Sequence, residues 1–485
     1  MPSPLEALSP IDGRYASQVR KLAPIFSEMG LMRKRIMVEI EYLIALGEEG
    51  GVREVPPFDE KQKKALRSLY QKFTLKDAEE VKKIEKTTDH DVKAIEYFIK
   101  NKLPILLSSR APQAAGRGDL REFASSGSLV DTRNKPRNDG LKEFVHFALT
   151  SEDVNNLAYS LMWRDGLNVY TQSLNKLIHI IKGVAKTNNN QPMLSLTHGQ
   201  PASPTTLGKE LAVFYFRLTQ QRTELERIRL MGKLSGAVGN WHAHAIAYPK
   251  INWPAFSEKF ITSLDLAFSP LTTQIESHDT LAQSFDALKR INSIVINLCQ
   301  DMWLYISRGI FKQLVKKGEV GSSTMPHKVN PIKFENAESN AALAATLCEH
   351  LSRTLPVSRM QRDLRDSSLM RNQGVALGHS LLAVHNAAAG LARVTPNTEA
   401  QKKELDEHWE VLAEPIQTVL RKVGYPQPYE KLKELTRGKA VTKESVQKFI
   451  KGLDIQKEEK NKLLKLTPQN YTGLASKIVA RMLHE

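Results

Sequence analysis

Cysteine is almost absent: the 485 residues hold only Cys299 and Cys348, and neither belongs to a C-x-x-C pair. That spacing argues against a disulfide framework and against a structural zinc site. Both lie in helical patterns, where a thiol is expected buried as a small apolar group. Long hydrophobic runs are missing too. Although 41% of the residues are hydrophobic, no stretch approaches the roughly 20 apolar residues of a membrane span. Strand signals are scarce, with no regular hairpin spacing and few alternating β-branched runs, and no repeat of solenoid period is visible. The start, Met1-Pro2-Ser3-Pro4-Leu5, has neither the basic end nor the apolar centre of a secretory signal. Met482-Leu483-His484-Glu485 carries no retention or peroxisomal address. Cytoplasm is the expected compartment.

What is abundant is positive charge. Lys and Arg total 69 against 53 acids, a formal net charge of +16. Such a balance suits either a nucleic-acid binder or an enzyme that attracts a polyanion. The bases are mixed with acids from Lys61 to Lys102 and from Lys402 to Lys465, as on solvated helix faces. No helix-turn-helix, zinc-finger or RNA-binding signature accompanies them. An anionic small-molecule substrate is the expectation, with neither nucleic acid nor membrane as partner.

Between Pro204 and Pro249, and again between Pro270 and Pro326, proline is absent and apolar residues recur at helical spacing. Leu207, Leu211, Phe214, Leu218, Leu225 and Ile228 form one series; Leu281, Phe285, Leu288, Val295, Leu298, Met302 and Tyr305 form another. The spacing predicts helices of roughly 25 to 30 residues, long enough for a bundle. The chain reads as all-α, with three helical domains. An N-terminal domain spans 1–110, a polar insert 111–140, a central long-helix bundle 141–395 and a smaller helical domain 396–485. The insert, rich in Gly, Ser, Arg and Asp, reads as a surface loop.

The densest chemistry lies in Gly321-Ser322-Ser323-Thr324-Met325-Pro326-His327-Lys328-Val329-Asn330-Pro331. Gly318 and Gly321 permit a hinge while Pro326 and Pro331 stiffen the residues beyond it. Two hydroxyls, a cation and an amide suit a carboxylate whose charge grows during reaction. The run reads as a catalytic lid.

This string resembles the signature of the fumarase/aspartase superfamily, lyases that eliminate fumarate from a succinyl adduct. Ser9-Pro10-Ile11-Asp12-Gly13-Arg14-Tyr15, Asp89-His90-Asp91-Val92-Lys93, Thr150-Ser151-Glu152-Asp153, Thr197-His198-Gly199-Gln200-Pro201 and Glu414-Pro415-Ile416-Gln417 resemble its longer bacterial branch, which acts on a succinylated purine nucleotide. The resemblance covers nearly the whole chain; the segment from about Pro104 to Gly140 is longer than expected. It implies Ser322 as the base that takes a carbon-bound proton and His198 as the general acid, an imidazole suited to the task by its ordinary pKa of about 6.5. It gives His90 a supporting catalytic role. If the carboxylate of Asp89 or Asp91 lay within about 4 to 6 Å, the charged form of His90 would be favoured; both acids are counted with the substrate site. Arg362, Ser367 and Arg371 match residues that grip a nucleotide phosphate, a task suited to forked guanidinium geometry. Arg14 and Tyr15 match a further nucleotide contact. Thr150, Ser151, Gln274, Lys328 and Asn330 would hold the succinyl part. No metal or other cofactor is implied, and Trp241-His242-Ala243-His244 reads as structural. The resemblance further implies a homotetramer in which each pocket draws on three chains.

Three rivals stand beside this reading. A sister lyase acting on argininosuccinate, malate or aspartate would not need the phosphate arginines. A structural protein that has lost catalysis on the same fold would not need Ser322 and His198. A basic helical nucleic-acid binder would show steep salt dependence.

Overall fold

The computed structural model describes residues 5–107, 138–315, 325, 328–436 and 441–484. The expected insert therefore lies almost wholly outside the described residues, and so does Ser322. At the insert's end, Asn138–Leu141 forms one helical turn.

The helices that matter here are α1 (Glu28–Glu49), α2 (Glu60–Gln71), α3 (Leu75–Thr88), α4 (Asp91–Leu107), α5 (Ser151–Thr187), α6 (Leu207–Arg227), α7 (Trp253–Ser263), α8 (Asp279–Ser307), α9 (Ile332–Thr354), α10 (Arg365–Met370), α11 (Gln373–Leu391) and α12 (Ala413–Lys422). Strands among the described residues are pieces of two or three residues, including the antiparallel pair β1 (Leu196–Thr197) and β2 (Gln200–Pro201) and the parallel pair β3 (Met231–Gly232) and β4 (Ala267–Phe268). The all-α expectation holds.

At 29 residues α8 meets the length predicted for it, whereas α6 stops at 21. Ile228, expected to extend α6, falls just past its end. Beyond it the chain enters β3 at Met231, and Gly236 and Gly239, with φ of 78° and 81°, turn it further on. The longest rod, α5, has 37 residues. Starts are set by short polar residues: Ser27 Oγ accepts from Gly30 N–H, while Asp59 with Gln62 and Thr74 with Asp77 form capping boxes on α2 and α3.

The chain divides into two compact units. The first comprises Met1–Tyr170, Arg227–Asp286 and Leu347–Gly378. Here α1 is buried on nearly every side through Ile36, Ile40, Tyr42, Leu43 and Leu46. It packs with α2 and α4, and α3 packs with α4. Gly30 is required where the chain folds back, since a Cβ there would lie 2.4 Å from the Ile25 carbonyl oxygen. Trp163 of α5 is fully buried against Phe285, and its indole N–H donates to Ser284 Oγ at 2.7 Å.

The second unit comprises Thr171–Glu226, Ala287–Thr346 and His379–Glu485. Leu177 and Ile181 of α5, Leu211 and Leu218 of α6, and Leu288, Val295 and Leu298 of α8 are fully buried. Each such side chain contributes roughly 1.5–3 kcal/mol by leaving water. Asn292 of α8 donates to Ser380 Oγ of α11 at 2.9 Å, a directional bond that fixes register in an otherwise apolar seam. A satellite cluster under Trp409, Leu412, Ile416, Leu420, Val446 and Ile450 also takes in Leu194. Cys299 and Cys348 are both buried, and burial pushes the Cys299 pKa up. Among the described residues, no helix is long and apolar enough to cross a membrane.

Candidate active site

Thr150 and Ser151 open α5 in the first unit, and a buried ion pair holds them there. Thr150 N–H donates to Asp153 Oδ2 at 2.8 Å, and Asp153 Oδ1 accepts from Lys233 Nζ at 2.9 Å and from Ser235 N–H at 2.9 Å. Asp153 and Lys233 are both wholly buried. Lys233 Nζ also donates to the Gly236 carbonyl at 2.7 Å, and Asn156 binds both the N–H and the carbonyl of Lys233. The turn at 233–236 is thus pinned to the head of a helix, whose N-terminus favours an anion. Gln274 is placed from the same turn. Its side-chain amide donates to the Ala237 carbonyl at 2.9 Å and its N–H to the Gln361 carbonyl at 3.2 Å. Gly239 allows this approach, because a Cβ there would sit 2.1 Å from Thr272 O.

Next to Gln361, Arg362 donates from Nη1 to Glu152 Oε2 at 2.7 Å, with Nη2 3.6 Å from Asp366 Oδ1. Asp366 Oδ1 also accepts the Ser367 N–H at 2.7 Å. Burial pushes the Glu152 carboxyl above its usual range, against the pull of Arg362. Arg371 donates to Glu28 at 2.8 Å and to Asp91 at 3.1 Å. Asp91 in turn accepts from Arg35 at 2.8 Å. Burial works against the Asp91 carboxylate, but Arg35, Val92 N–H and Arg371 outweigh it and hold its pKa low. Asp91 is therefore occupied with orienting arginines, and its carboxylate is not committed to His90.

His90 precedes α4 and is exposed; its Nδ1 accepts the Lys93 N–H at 3.1 Å. That bond leaves Nε2–H as the outward donor of the neutral ring. Asp89 closes α3 in the left-handed conformation at φ 50°. Arg14 is exposed and Tyr15 half-buried, immediately before one helical turn at Ala16–Val19. The first unit thus carries His90, Asp91, Thr150, Ser151, Gln274, Arg362, Ser367 and Arg371; Arg362 and Ser367 meet at Asp366, while Arg371 and Asp91 form a separate set with Glu28 and Arg35.

In the second unit, His198 and Gly199, at φ 55° and 71°, form the two-residue turn between β1 and β2. Both central residues are left-handed, as in a type I′ hairpin, and His198 is presented at the exposed tip. At the base, Ser195 Oγ donates to the Ser203 carbonyl and Ser203 Oγ to Glu414 of α12. Glu414 also bonds Tyr471, whose pKa burial and that carboxylate push up to about 12. Lys328 is exposed and Asn330 half-buried; the Val329 carbonyl between them accepts from Gln313 at 2.6 Å.

His244 of the Trp-His-Ala-His cluster is buried against Trp253, with Nε2 3.2 Å from Tyr42 OH. Burial depresses its pKa to about 4, so it serves as a neutral core group. Glu152, His278 and Asp366 set one ligand atom each within 4.8 Å of one another. The cation those carboxylates hold is the Arg362 guanidinium.

The supporting partners Glu28, Arg35, Lys233, His278 and Asp366 escaped the sequence reading. Glu152 and Asp153 lie inside one of the lyase-like motifs, but nothing local marks Lys233, whose partner Asp153 is far away along the chain.

Set beside known proteins, the fold defines a class. The chain superposes on fumarate lyase from Mesorhizobium sp. BNC1 with a TM-score of 0.72 at 16% identity, covering 96% of this chain and 97% of that one. It superposes on 3-carboxy-cis,cis-muconate lactonizing enzyme from Pseudomonas putida with a TM-score of 0.69 at 20% identity, over 96% of each. A family pattern described as lyase matches residues 13–344. This is a lyase of the fumarase/aspartase superfamily. A second pattern, adenylosuccinate lyase C-terminal, matches 358–472. The adenylosuccinate lyases of Haemophilus influenzae and Escherichia coli K12 are 46% and 45% identical over 481 and 478 residues, covering 99% and 98% of this chain and the same shares of theirs. The chain belongs to the adenylosuccinate lyase family.

Proposed function

We propose that the chain cleaves adenylosuccinate to AMP and fumarate, and the succinylated aminoimidazole carboxamide ribotide of purine biosynthesis in the same way. The observation that carries this reading is the gathering of Arg362, Ser367 and Arg371 with Thr150, Ser151 and Gln274 in one unit, where Arg362 bonds Glu152, two residues from Thr150, and Gln274 N–H bonds the Gln361 carbonyl next to Arg362. A phosphate grip beside a carboxylate grip suits a succinylated nucleotide and no unphosphorylated sister substrate.

In the reaction, Ser322, ionised to its alkoxide, takes the proton from the succinyl carbon next to a carboxylate and becomes the neutral hydroxyl, and the electron pair forms the new double bond as the carbon–nitrogen bond breaks. His198 delivers a proton to the departing nitrogen. Lys328, Asn330, Thr150, Ser151 and Gln274 hold the succinyl carboxylates while negative charge builds. His90, donating outward from Nε2, supports the substrate; Arg14, Tyr15 and Asp89 complete the nucleotide contacts. The enzyme works as a cytoplasmic homotetramer whose pockets are shared between subunits, without a metal. The placement of His198 at an exposed hairpin tip supports a site completed by another chain.

The test is the absorbance change on mixing the protein with adenylosuccinate and, separately, with argininosuccinate. Turnover of the first alone is expected; turnover of the second alone overturns the assignment. His198→Ala and Ser322→Ala should each lower the rate at least about 10²-fold with an unchanged helical spectrum.

A further inference from the structure

We propose that His278 is a positioning residue for the phosphate grip: it holds Asp366 away from Arg362, so that one edge of the guanidinium stays open to the ligand while Asp366 orients Ser367. This rests on the proposed phosphate-binding role of Arg362 and Ser367.

Three independent features set His278 apart. It immediately precedes α8, its carbonyl accepting the Ala282 N–H at 2.8 Å, yet its φ is 63°. A non-glycine side chain held left-handed is strained and persists where surroundings demand it. Its N–H is tied to Glu276 Oε2 at 2.8 Å, and its Nδ1 lies 3.7 Å from the same oxygen. Finally, the imidazole is 3% exposed, and Nε2 has no hydrogen-bond partner among the described residues; it points at Asp366 Oδ2 from 3.9 Å.

The groups facing the ring are Glu276 from its own segment, Glu152 from α5, and Asp366 from α10, with Arg362 beyond the last two. Burial disfavours the charged imidazole, but these three carboxylates outweigh it and raise the His278 pKa. Two of these acids, Glu152 and Asp366, face the Arg362 guanidinium and would close on it from both edges. The structure shows otherwise: Glu152 is bonded at 2.7 Å while Asp366 stands off at 3.6 Å, its Oδ1 given to Ser367 N–H and its Oδ2 turned to His278. Arg362 is consequently hydrogen-bonded by a carboxylate on one edge only, with Asp366 at the longer distance of 3.6 Å from the other. A phosphate oxygen can take the other, and the Ser367 backbone is held beside it by the same aspartate, which accepts its N–H.

The experiment uses full-length wild type, His278→Gln, Asp366→Asn, His278→Gln/Asp366→Asn and Arg362→Ala. It measures kcat and KM for adenylosuccinate and inhibition by AMP and by fumarate. For His278→Gln, KM and the AMP inhibition constant should rise about tenfold, the size of one charge-assisted contact. Inhibition by fumarate, which has no phosphate, should not change, and kcat should change less than KM. The double variant should be no worse than Asp366→Asn, since the histidine acts through that carboxylate. An unchanged AMP constant, or equal changes for AMP and fumarate, overturns the proposal. If His278→Gln does not fold, the wild-type KM carries the test: it should rise as pH climbs through the imidazole titration, a rise Asp366→Asn should abolish, and a flat profile counts against it. Arg362→Ala separates the two levels. No effect there removes the parent reading, whereas an effect there with a silent His278→Gln removes this inference alone.

Discussion

His244 and His146, both in the first unit, bend stability with pH in opposite directions. His244 is buried neutral with a pKa near 4, against about 6.5 unfolded. The unfolded chain therefore binds more protons, and folding weakens as pH falls from about 6.5 to about 4, by about 3 kcal/mol in all. For His146, burial lowers the pKa but Glu39, whose carboxylate lies 2.5 Å from Nδ1, outweighs it and raises the pKa. Its contribution is complete below about pH 6.5 and fades as pH climbs through the raised value. Denaturant midpoints across pH 4.5 to 8 should show His244→Phe flattening the acid limb and His146→Gln flattening the neutral one; the reverse assignment would refute the reading. Lys233 offers a harsher test. Lys233→Met leaves Asp153 charged in a dry interior and should cost about 3–5 kcal/mol. Adding Asp153→Leu should not restore stability, because that carboxylate also holds Thr150, Ser235 and Gly236.

Among the elements, the β1–β2 hairpin is the one whose precision matters most. Its turn comes from two left-handed residues, but its bearing depends on Ser203 and Glu414. Glu414→Gln keeps the shape and weakens the bond, so the elimination rate should fall about tenfold with little change in melting temperature; an unchanged rate would free the hairpin from that anchor. The same motif, Glu414-Pro415-Ile416-Gln417, stands out in the sequence without a role, because a carboxylate that serves a hairpin 211 positions away has no local mark. Helix α8 was legible, since Leu281 to Tyr305 keep a helical period and all line the core. The early end of α6 was not, because Ile228 continues the apolar period, although the helix stops at Arg227 and the chain enters β3 at Met231, paired with β4 from far along the sequence.

For the molecule as a whole, assembly decides whether the proposed chemistry can occur. Light scattering should give a mass near four chains. Mixing inactive His198→Ala with inactive Ser322→Ala under conditions of subunit exchange should restore part of the activity; none would argue for a site contained in one chain. The net charge of +16 belongs to this scale too. If it serves to attract an anionic nucleotide, KM should rise with salt while duplex DNA is not retained at low ionic strength. By itself the sequence determined the helical class, the lyase signature and the identities of the proposed reacting groups, because apolar period and motif spacing are local properties of the chain. Only the tertiary structure decided which carboxylate serves which arginine. Asp91 is drawn to Arg35 and Arg371, and Asp366 stands between Arg362 and His278, because charges leaving water pair with whatever counter-charge the fold brings within reach, however distant in sequence.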